Sequence, residues 1–220
     1  MSLSRVLEVE YMDTADEARE YDAMDHRTVN RAFVDDLLAT GPLPADILDL
    51  GTGTARIPIE LCRRSEDSRV MAVDAASHML DLAHYNVEIA GLGERIQLAQ
   101  VDAKRLPFPD GMFGAVVSNS IIHHIPEPLA VLRESVRVLA PGGLLFFRDL
   151  LRPDAETQLA QLVATYVGGE SETAQRLFAD SLRAALSLAE IRTLIDSLGF
   201  TPATVQATSD RHWTWTERKS

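Results

Sequence analysis

Hydrophobic and polar positions along the chain fall into blocks with two different periods. A short polar segment, 16–25, is followed by 27–39, where Val29, Ala32, Phe33 and Leu37 share one face, and both read as helices. Gly41-Pro42-Leu43-Pro44 breaks the chain. Beyond it, short apolar runs at 46–50, 69–73, 95–101, 113–118 and 144–149 read as strands. They alternate with segments of helical period at 54–64, 77–90 and 127–139. Pro58 is compatible with the first turns of its helix, where its missing N–H has no partner to lose. Gly91 ends the second of these helices, and Ala140-Pro141-Gly142-Gly143 is expected to close the third. Strands that alternate with helices predict a three-layer α/β fold around a parallel sheet. Such a sheet is buried on both faces, which accounts for continuous runs such as Leu144-Leu145-Phe146-Phe147.

The later part of the chain changes character. Residues 154–198 read as entirely helical, in three pieces at 155–167, 171–185 and 189–198. Two readings stand: a lid that covers the open edge of a site, or a plain extension of the helical layer. The stretches 201–207 and 212–216 read as strands. We expect one domain: N-terminal helices over 1–42, a ligand-binding core over 45–150, a helical segment over 151–198 and closing strands over 199–220.

Composition narrows the partners. The 220 residues are 46% apolar and carry a formal net charge of −12, which disfavours a nucleic-acid partner. Arg211, Arg218 and Lys219 form a weak basic group near the C-terminus, read as solvated. The single cysteine, Cys62, forms no internal disulfide, points to a reducing compartment and reads as a core residue. The first 20 residues have no long apolar run, so no signal peptide is expected, and no run reaches the roughly 18 apolar residues a bilayer requires. A cytoplasmic protein without a membrane partner is the expectation.

The strongest chemical signal is Asp49-Leu50-Gly51-Thr52-Gly53-Thr54, directly after the first core strand. Two glycines let the backbone turn sharply and admit a ligand closely, at a point where a helix N-terminus also arrives. Alone, this is equally a tight turn with no ligand. The second core strand ends at Asp74, about 20 residues beyond Gly53, the position from which an acid accepts hydrogen bonds from ribose hydroxyls in nucleotide-binding α/β folds. A helix cap is the other reading of Asp74. A dinucleotide fits poorly, because Arg56 stands where its fingerprint requires a third glycine.

At this point the chain resembles the class I S-adenosylmethionine-dependent methyltransferases, most of all the branch with the ubiquinone and menaquinone methyltransferases. Ile47 to Ala55 is similar to the family's first motif, and Val70 to Leu80 to its second. Gln100-Val101-Asp102-Ala103 with Leu106 to Asp110 resembles the third. Phe113 to Ser120 with Ile122-His123-His124-Ile125 resembles the fourth, and Leu132 to Gly143 completes the set. The resemblance implies a Rossmann-like sandwich with a mostly parallel seven-stranded sheet and an antiparallel last strand. It implies a methyltransferase that uses S-adenosylmethionine on a small-molecule acceptor. By position, Gly51, Thr52 and Gly53 would border the methionine part, Asp74 would hold the ribose, and Ala75 and Met79 would pack on the adenosine. Asp102 and Ala103 would meet the adenine, and Ser118 and Asn119 would lie beneath the sulfonium. Tyr21 would close over the cofactor, or else pack the first helix.

Other residues keep two readings. His123 follows the fourth core strand and is a weak candidate for a general base, or only a packing residue; adjacent histidines such as His123 and His124 rarely point the same way. No carboxylate cluster stands at ligand spacing near them, so no metal site is expected. Arg148 and Asp149 end an apolar strand and need partners. Trp213 and Trp215 share a face and read as packing residues, with His212 on the other.

Overall fold

The computed structural model describes residues 3–8, 14–23 and 27–220, without the side chains of residues 17, 21 and 23. Seven strands form one sheet: β1 (Asp46–Leu50), β2 (Arg69–Asp74), β3 (Ile96–Gln100), β4 (Phe113–Asn119), β5 (Leu139–Leu150), β6 (Val205–Ala207) and β7 (His212–Arg218). Their order is β3-β2-β1-β4-β5-β7-β6. The β1–β2, β1–β4 and β2–β3 pairs are parallel, and β6–β7 is antiparallel. The expected α/β sandwich with an antiparallel last strand is therefore present.

The chain divides into two compact units. The larger holds Tyr11–Asn119, Ala130–Phe147 and Glu217–Ser220. Its helices are α1 (Ala15–Ala23), α2 (Arg27–Ala39), α3 (Arg56–Arg64), α4 (Ser77–Ala90) and most of α5 (Pro128–Val138). Ile47, Val70, Ala72, Ala115 and Val117 of the strands pack with Ile59 and Leu61 of α3 and Ala83 and Val87 of α4 in one apolar core. On α2 the buried residues are Phe33, Val34 and Leu37, while Val29 and Ala32 face solvent. The apolar stripe is thus rotated from the expected one, because Phe33 stacks edge-on against Phe146 at 5.1 Å. Cys62 is buried in this core, as expected.

Several boundaries differ from expectation for local reasons. Helix α3 starts at Arg56 and not at 54, because Ala55 takes a left-handed φ of 61° and closes the preceding turn. Strand β5 begins at Leu139 and includes the Ala140–Gly143 segment expected to close the helix. Its partner is remote: Gly142 N–H donates to Lys219 O at 2.7 Å and Lys219 N–H donates to Gly143 O at 3.0 Å. Nor is Lys219 a solvated tail. Its ammonium donates to Val136 O and Leu139 O, both at 2.7 Å, and so caps the carbonyl end of α5.

The smaller unit holds residues 3–8, Ser120–Leu129 and Arg148–Thr216. It contains a three-residue 3-10 turn at Ile122–His124 and helices α6 (Glu156–Val167), α7 (Glu172–Ala184) and α8 (Leu188–Ser197). Leu150, Leu159, Leu162, Leu182 and Ala185 form its apolar cluster, with Leu3 packed against them. Ser187 and Glu190 cap the start of α8 reciprocally. The expected strand 201–207 is shorter: Pro202–Thr204 forms a 3-10 turn and pairing starts at Val205, because proline offers no N–H to a ladder. Trp213 and Trp215 are fully buried, as expected, and Trp215 meets Phe200 edge-on at 5.5 Å.

Candidate functional site

The parallel register puts the ends of four strands in line. Leu50 pairs with Val73 on one side and Ser118 on the other, and Asp74 pairs with Gln100. The segments that follow β1, β2, β3 and β4 therefore emerge along one edge, where open α/β sheets place their ligands.

The glycine-rich turn is fixed to that edge by its own backbone. Gly51 and Thr52 N–H both donate to Val73 O, at 2.8 and 3.0 Å. Gly51 and Gly53 take φ of 69° and 54°, a region in which a side chain is strained. Ala55 takes the same region despite its Cβ. Asp74 completes the arrangement: its Oδ2 accepts from Gly53 N–H at 2.8 Å and its Oδ1 from Ala76 N–H at 2.9 Å. The N-cap reading of Asp74 is not borne out: Ala76 is the N-cap of α4 with no side-chain cap bond, and Asp74 instead accepts from its N–H.

The other expected residues take varied places. Ala75 is half-buried, and its carbonyl accepts from Gln100 Nε2 at 2.9 Å. Met79 is buried, in a small cluster with Ala18 and Ala76. Asp102 is exposed on the turn after β3, where its Oδ1 accepts from Lys104 N–H at 2.9 Å and faces the Lys104 ammonium at 3.4 Å. Ala103 beside it is half-buried. Ser118 is buried and donates its hydroxyl to Leu50 O at 3.0 Å, tying β4 to β1, while Asn119 is half-buried at the strand end. The Tyr21 side chain lies outside the described residues.

Asp49 lies within the first motif, yet no role was expected of it. It is 2% exposed, and neither its Oδ2 nor the Thr52 hydroxyl oxygen makes a hydrogen bond of ordinary geometry among the described residues. Burial pushes its carboxyl up to about 7; the nearby Thr52 hydroxyl opposes the shift and the Asp74 charge adds to it. An acid inside the apolar run Ile47-Leu48-Asp49-Leu50 was the available signal, since buried acids need a reason.

A second polar group lies in the smaller unit. Asp149 is buried and accepts from Ile122 N–H at 2.5 Å and Leu150 N–H at 2.6 Å. The same carboxylate meets His123 Nδ1 at 2.5 Å. Burial alone would raise the Asp149 carboxyl, but the His123 charge and hydrogen bond outweigh it and hold it below the usual carboxylate range. Glu8 Oε1 lies 3.6 Å from His123 Nε2 and 3.1 Å from His124 Nδ1. Contrary to expectation, the two adjacent imidazoles point the same way, with centroids 4.0 Å apart. Glu8, remote in sequence, brings a carboxylate to both of them.

Arg5 secures that arrival by donating to Ala184 O at 2.7 Å, Ile125 O at 3.0 Å and His123 O at 3.2 Å. Residues 3–8 had no sequence signal. Arg148 and Asp149 are satisfied by neighbours, Arg148 through a 3.0 Å bond from its Nε to the Thr214 hydroxyl.

A profile described as a methyltransferase domain matches residues 48–147, the span that contains the glycine-rich turn, Asp74, Asp102 and Ser118. Residues 48–147 thus resemble a methyltransferase domain of the class I S-adenosylmethionine-dependent kind, in line with the motifs read from the sequence. It is 37% identical over 116 residues to a demethylmenaquinone methyltransferase of Thermus thermophilus, covering 53% of this chain and 52% of that one. It is 33% identical over 178 residues to a malonyl-(acyl-carrier protein) O-methyltransferase of Geobacter sulfurreducens, covering 79% of this chain and 65% of that one. The chain thus spans about half to two thirds of the length of these relatives. A solved structure from Methanococcus maripaludis, described as an S-adenosylmethionine-dependent methyltransferase, shares the fold. Its TM-score is 0.73 at 18% identity, over 98% of this chain and 97% of that one.

The residues at the sheet edge fit S-adenosylmethionine, the cofactor that the resemblance implies. Asp49, Asp74 and Asp102 are acceptors, suited to a ligand that brings hydroxyls, amines and positive charge. The dinucleotide alternative meets the same obstacle as in the sequence, Arg56 at the third-glycine position, which here begins α3. A separate cavity of about 710 Å³ is lined by Arg27, Arg31, Arg56 and Arg63 among others, and shares only Thr54 with the glycine-rich turn.

Proposed function

We propose that the protein transfers the methyl group of S-adenosylmethionine to a small-molecule acceptor at the carboxyl edge of its sheet. The supporting observation is the Asp74 carboxylate, which ties the glycine-rich turn to the end of β2 at the edge where the strand ends meet. In this reading Asp74 receives the ribose hydroxyls. Asp102 with Ala103 meets the adenine, and Ala75 and Met79 flank the adenosine. Gly51, Thr52 and Gly53 border the methionine part, and Ser118 and Asn119 floor the site near the sulfonium.

When bound, the cofactor supplies a methyl group on a sulfonium that is already a strong electrophile. The residues of the chain therefore need only hold the donor in place, align the acceptor and keep water out. Asp49 adds a buried carboxyl next to Asp74, and its charged form is favoured by a neighbouring positive charge. This reading needs no general base, and His123, whose Nδ1 meets Asp149, is given no catalytic role in it.

The acceptor class follows from what the sequence lacks as well as what it resembles. Ser118-Asn119-Ser120-Ile121 stands where certain amino-group methyltransferases carry a proline-rich aromatic motif. The two curated relatives act on different acceptors by name, a quinone precursor and a carrier-bound malonyl group, so similarity alone does not choose between them. Among the described residues no helix is long and apolar enough to cross a membrane. Titration calorimetry with S-adenosylmethionine should show binding at about one site per chain. A screen for S-adenosylhomocysteine release should find turnover with a small acceptor; absence of cofactor binding would remove the proposal.

A further inference from the structure

We propose that Glu8, His123 and His124 form a binding site for one divalent transition-metal ion of the zinc class, with Asp149 as its outer-sphere carboxylate. Nothing in the methyltransferase reading requires such a site, and this inference stands on the smaller unit alone.

The ligand set comes first. Two imidazoles and a carboxylate are the donors that borderline ions such as Zn²⁺, Co²⁺ and Ni²⁺ take, whereas Mg²⁺ and Ca²⁺ ask for oxygen. One donor atom from each of the three side chains lies within 4.8 Å of the other two. Bonds of about 2.0–2.2 Å in tetrahedral array put neighbouring ligand atoms roughly 3.3 Å apart. Glu8 Oε1 stands 3.1 Å from His124 Nδ1 and 3.6 Å from His123 Nε2, on either side of that value. An ion enters this triangle with small side-chain adjustments.

The surroundings are those of a prepared site. Metal-bound histidines usually donate their second ring N–H to a carboxylate, which fixes the tautomer and the ring plane. His123 Nδ1 meets Asp149 Oδ1 at 2.5 Å, which leaves Nε2, on the Glu8 side of the ring, as the nitrogen to meet an ion. Asp149 is itself held by the Ile122 and Leu150 amides. Glu8 is steadied through its other oxygen, which accepts from the Ser181 hydroxyl at 3.2 Å and leaves Oε1 turned to the imidazoles. The 3-10 turn directs both rings to one side, an orientation that two adjacent histidines adopt only under constraint. Glu8 and His124 keep side-chain exposures of 16% and 21%, which gives an ion a way in. Three protein ligands leave a position for water or another oxygen ligand. Bound metal would also fasten residues 3–8 to the 3-10 turn, adding to what Arg5 already does.

The competing account is that protons alone hold these charges, as a Glu8–His124 ion pair beside a His123–Asp149 pair. The two accounts separate by experiment on the full chain, stripped with chelator and free of S-adenosylmethionine. Titration with ZnCl₂ near neutral pH should give about one ion per chain and raise the melting temperature. Co²⁺ should give the intense visible absorption of a four- or five-coordinate nitrogen–oxygen site. Glu8→Gln and His124→Gln, both at partly exposed positions, should each weaken binding at least about tenfold and remove that band. Circular dichroism shows whether each variant is folded. His84→Gln, on the exposed face of α4, should change nothing. An unchanged melting temperature with no zinc heat in the parent chain would overturn the site, and so would binding that survives both replacements in folded protein.

Discussion

The glycine-rich turn and the histidine–carboxylate cluster are both polar groups packed against apolar strands, yet the chain builds them in opposite ways. In the larger unit, every polar residue of the cradle sits at the end of one of four adjacent parallel strands, and parallel register converts sequence spacing directly into neighbourhood. In the smaller unit, Arg5 reaches a carbonyl 118 positions away, and Glu8 faces imidazoles just as remote in sequence. A site made of repeating units can be read along the chain, while a site made by docking a terminal segment cannot. The electrostatics differ as well. Burial and a neighbouring acid both act on Asp49 in the cradle, whereas each acid of the cluster has an imidazole against it.

The sharpest test of this contrast is removal of the central acid of the cluster. Asp149→Ala deprives the Ile122 and Leu150 amides and the His123 imidazole of their acceptor in a buried setting, so unfolding free energy should drop by about 3–5 kcal/mol. Urea denaturation measures it, and a loss under about 1 kcal/mol would mean the network is not holding the smaller unit.

The next effect is a matter of pH, and the two units should respond with opposite sign. Asp49 titrates near 7 in the folded chain against an ordinary value of 3.8, because of burial. Its contribution to stability is fully present below the lower value and is lost as pH rises through about 7, on the order of a few kcal/mol. His212 behaves in reverse. Burial, helped by Arg211 and Arg148, lowers it from 6.5 to about 4. The unfolded chain then takes up the proton first, and stability is lost as pH falls through that window. Denaturation of Asp49→Asn across roughly pH 4–8 should show the parent's decline at high pH abolished, and His212→Gln should flatten the acid side. Slopes unaltered by the two replacements would refute the assignment.

Asp74→Ala should weaken S-adenosylmethionine by roughly 1–3 kcal/mol, the scale of losing hydrogen bonds to a charged acceptor, and calorimetry reads this directly. Unchanged affinity would sever the turn from the cofactor. Gly114→Ala tests the β-strand scaffold below the cradle. An added Cβ would stand 2.4 Å from Pro44 Cβ, so a destabilisation of about 1–3 kcal/mol is expected in thermal melts. The smallest effect is expected at Ala55→Gly, where relief of the left-handed φ and loss of a buried methyl oppose each other; the change should stay within about 1 kcal/mol.

The residues that were legible share a property: their environment is set by neighbours close in sequence or by the sheet register. The five core strands, the helices between them and the arrival of Asp74 beside the glycine-rich turn belong here. Strand β5 was misjudged at its start because its first pairing partner, Lys219, is the penultimate residue of the chain. The apolar face of α2 was misjudged because the position of Phe146 decides it. Asp49 carried a signal, an acid amid buried apolar residues, but only the packing shows how completely it is desolvated.

By itself, the sequence determined the layered α/β architecture, the turn that two glycines permit, and the acids at the strand ends, because period and spacing map onto structure through local geometry. Tertiary structure alone decided that Glu8 meets His123 and His124, that Asp149 backs them, and that Lys219 caps α5. Those contacts depend on where segments far apart in the chain come to rest when their apolar faces are buried, and no local periodicity encodes that.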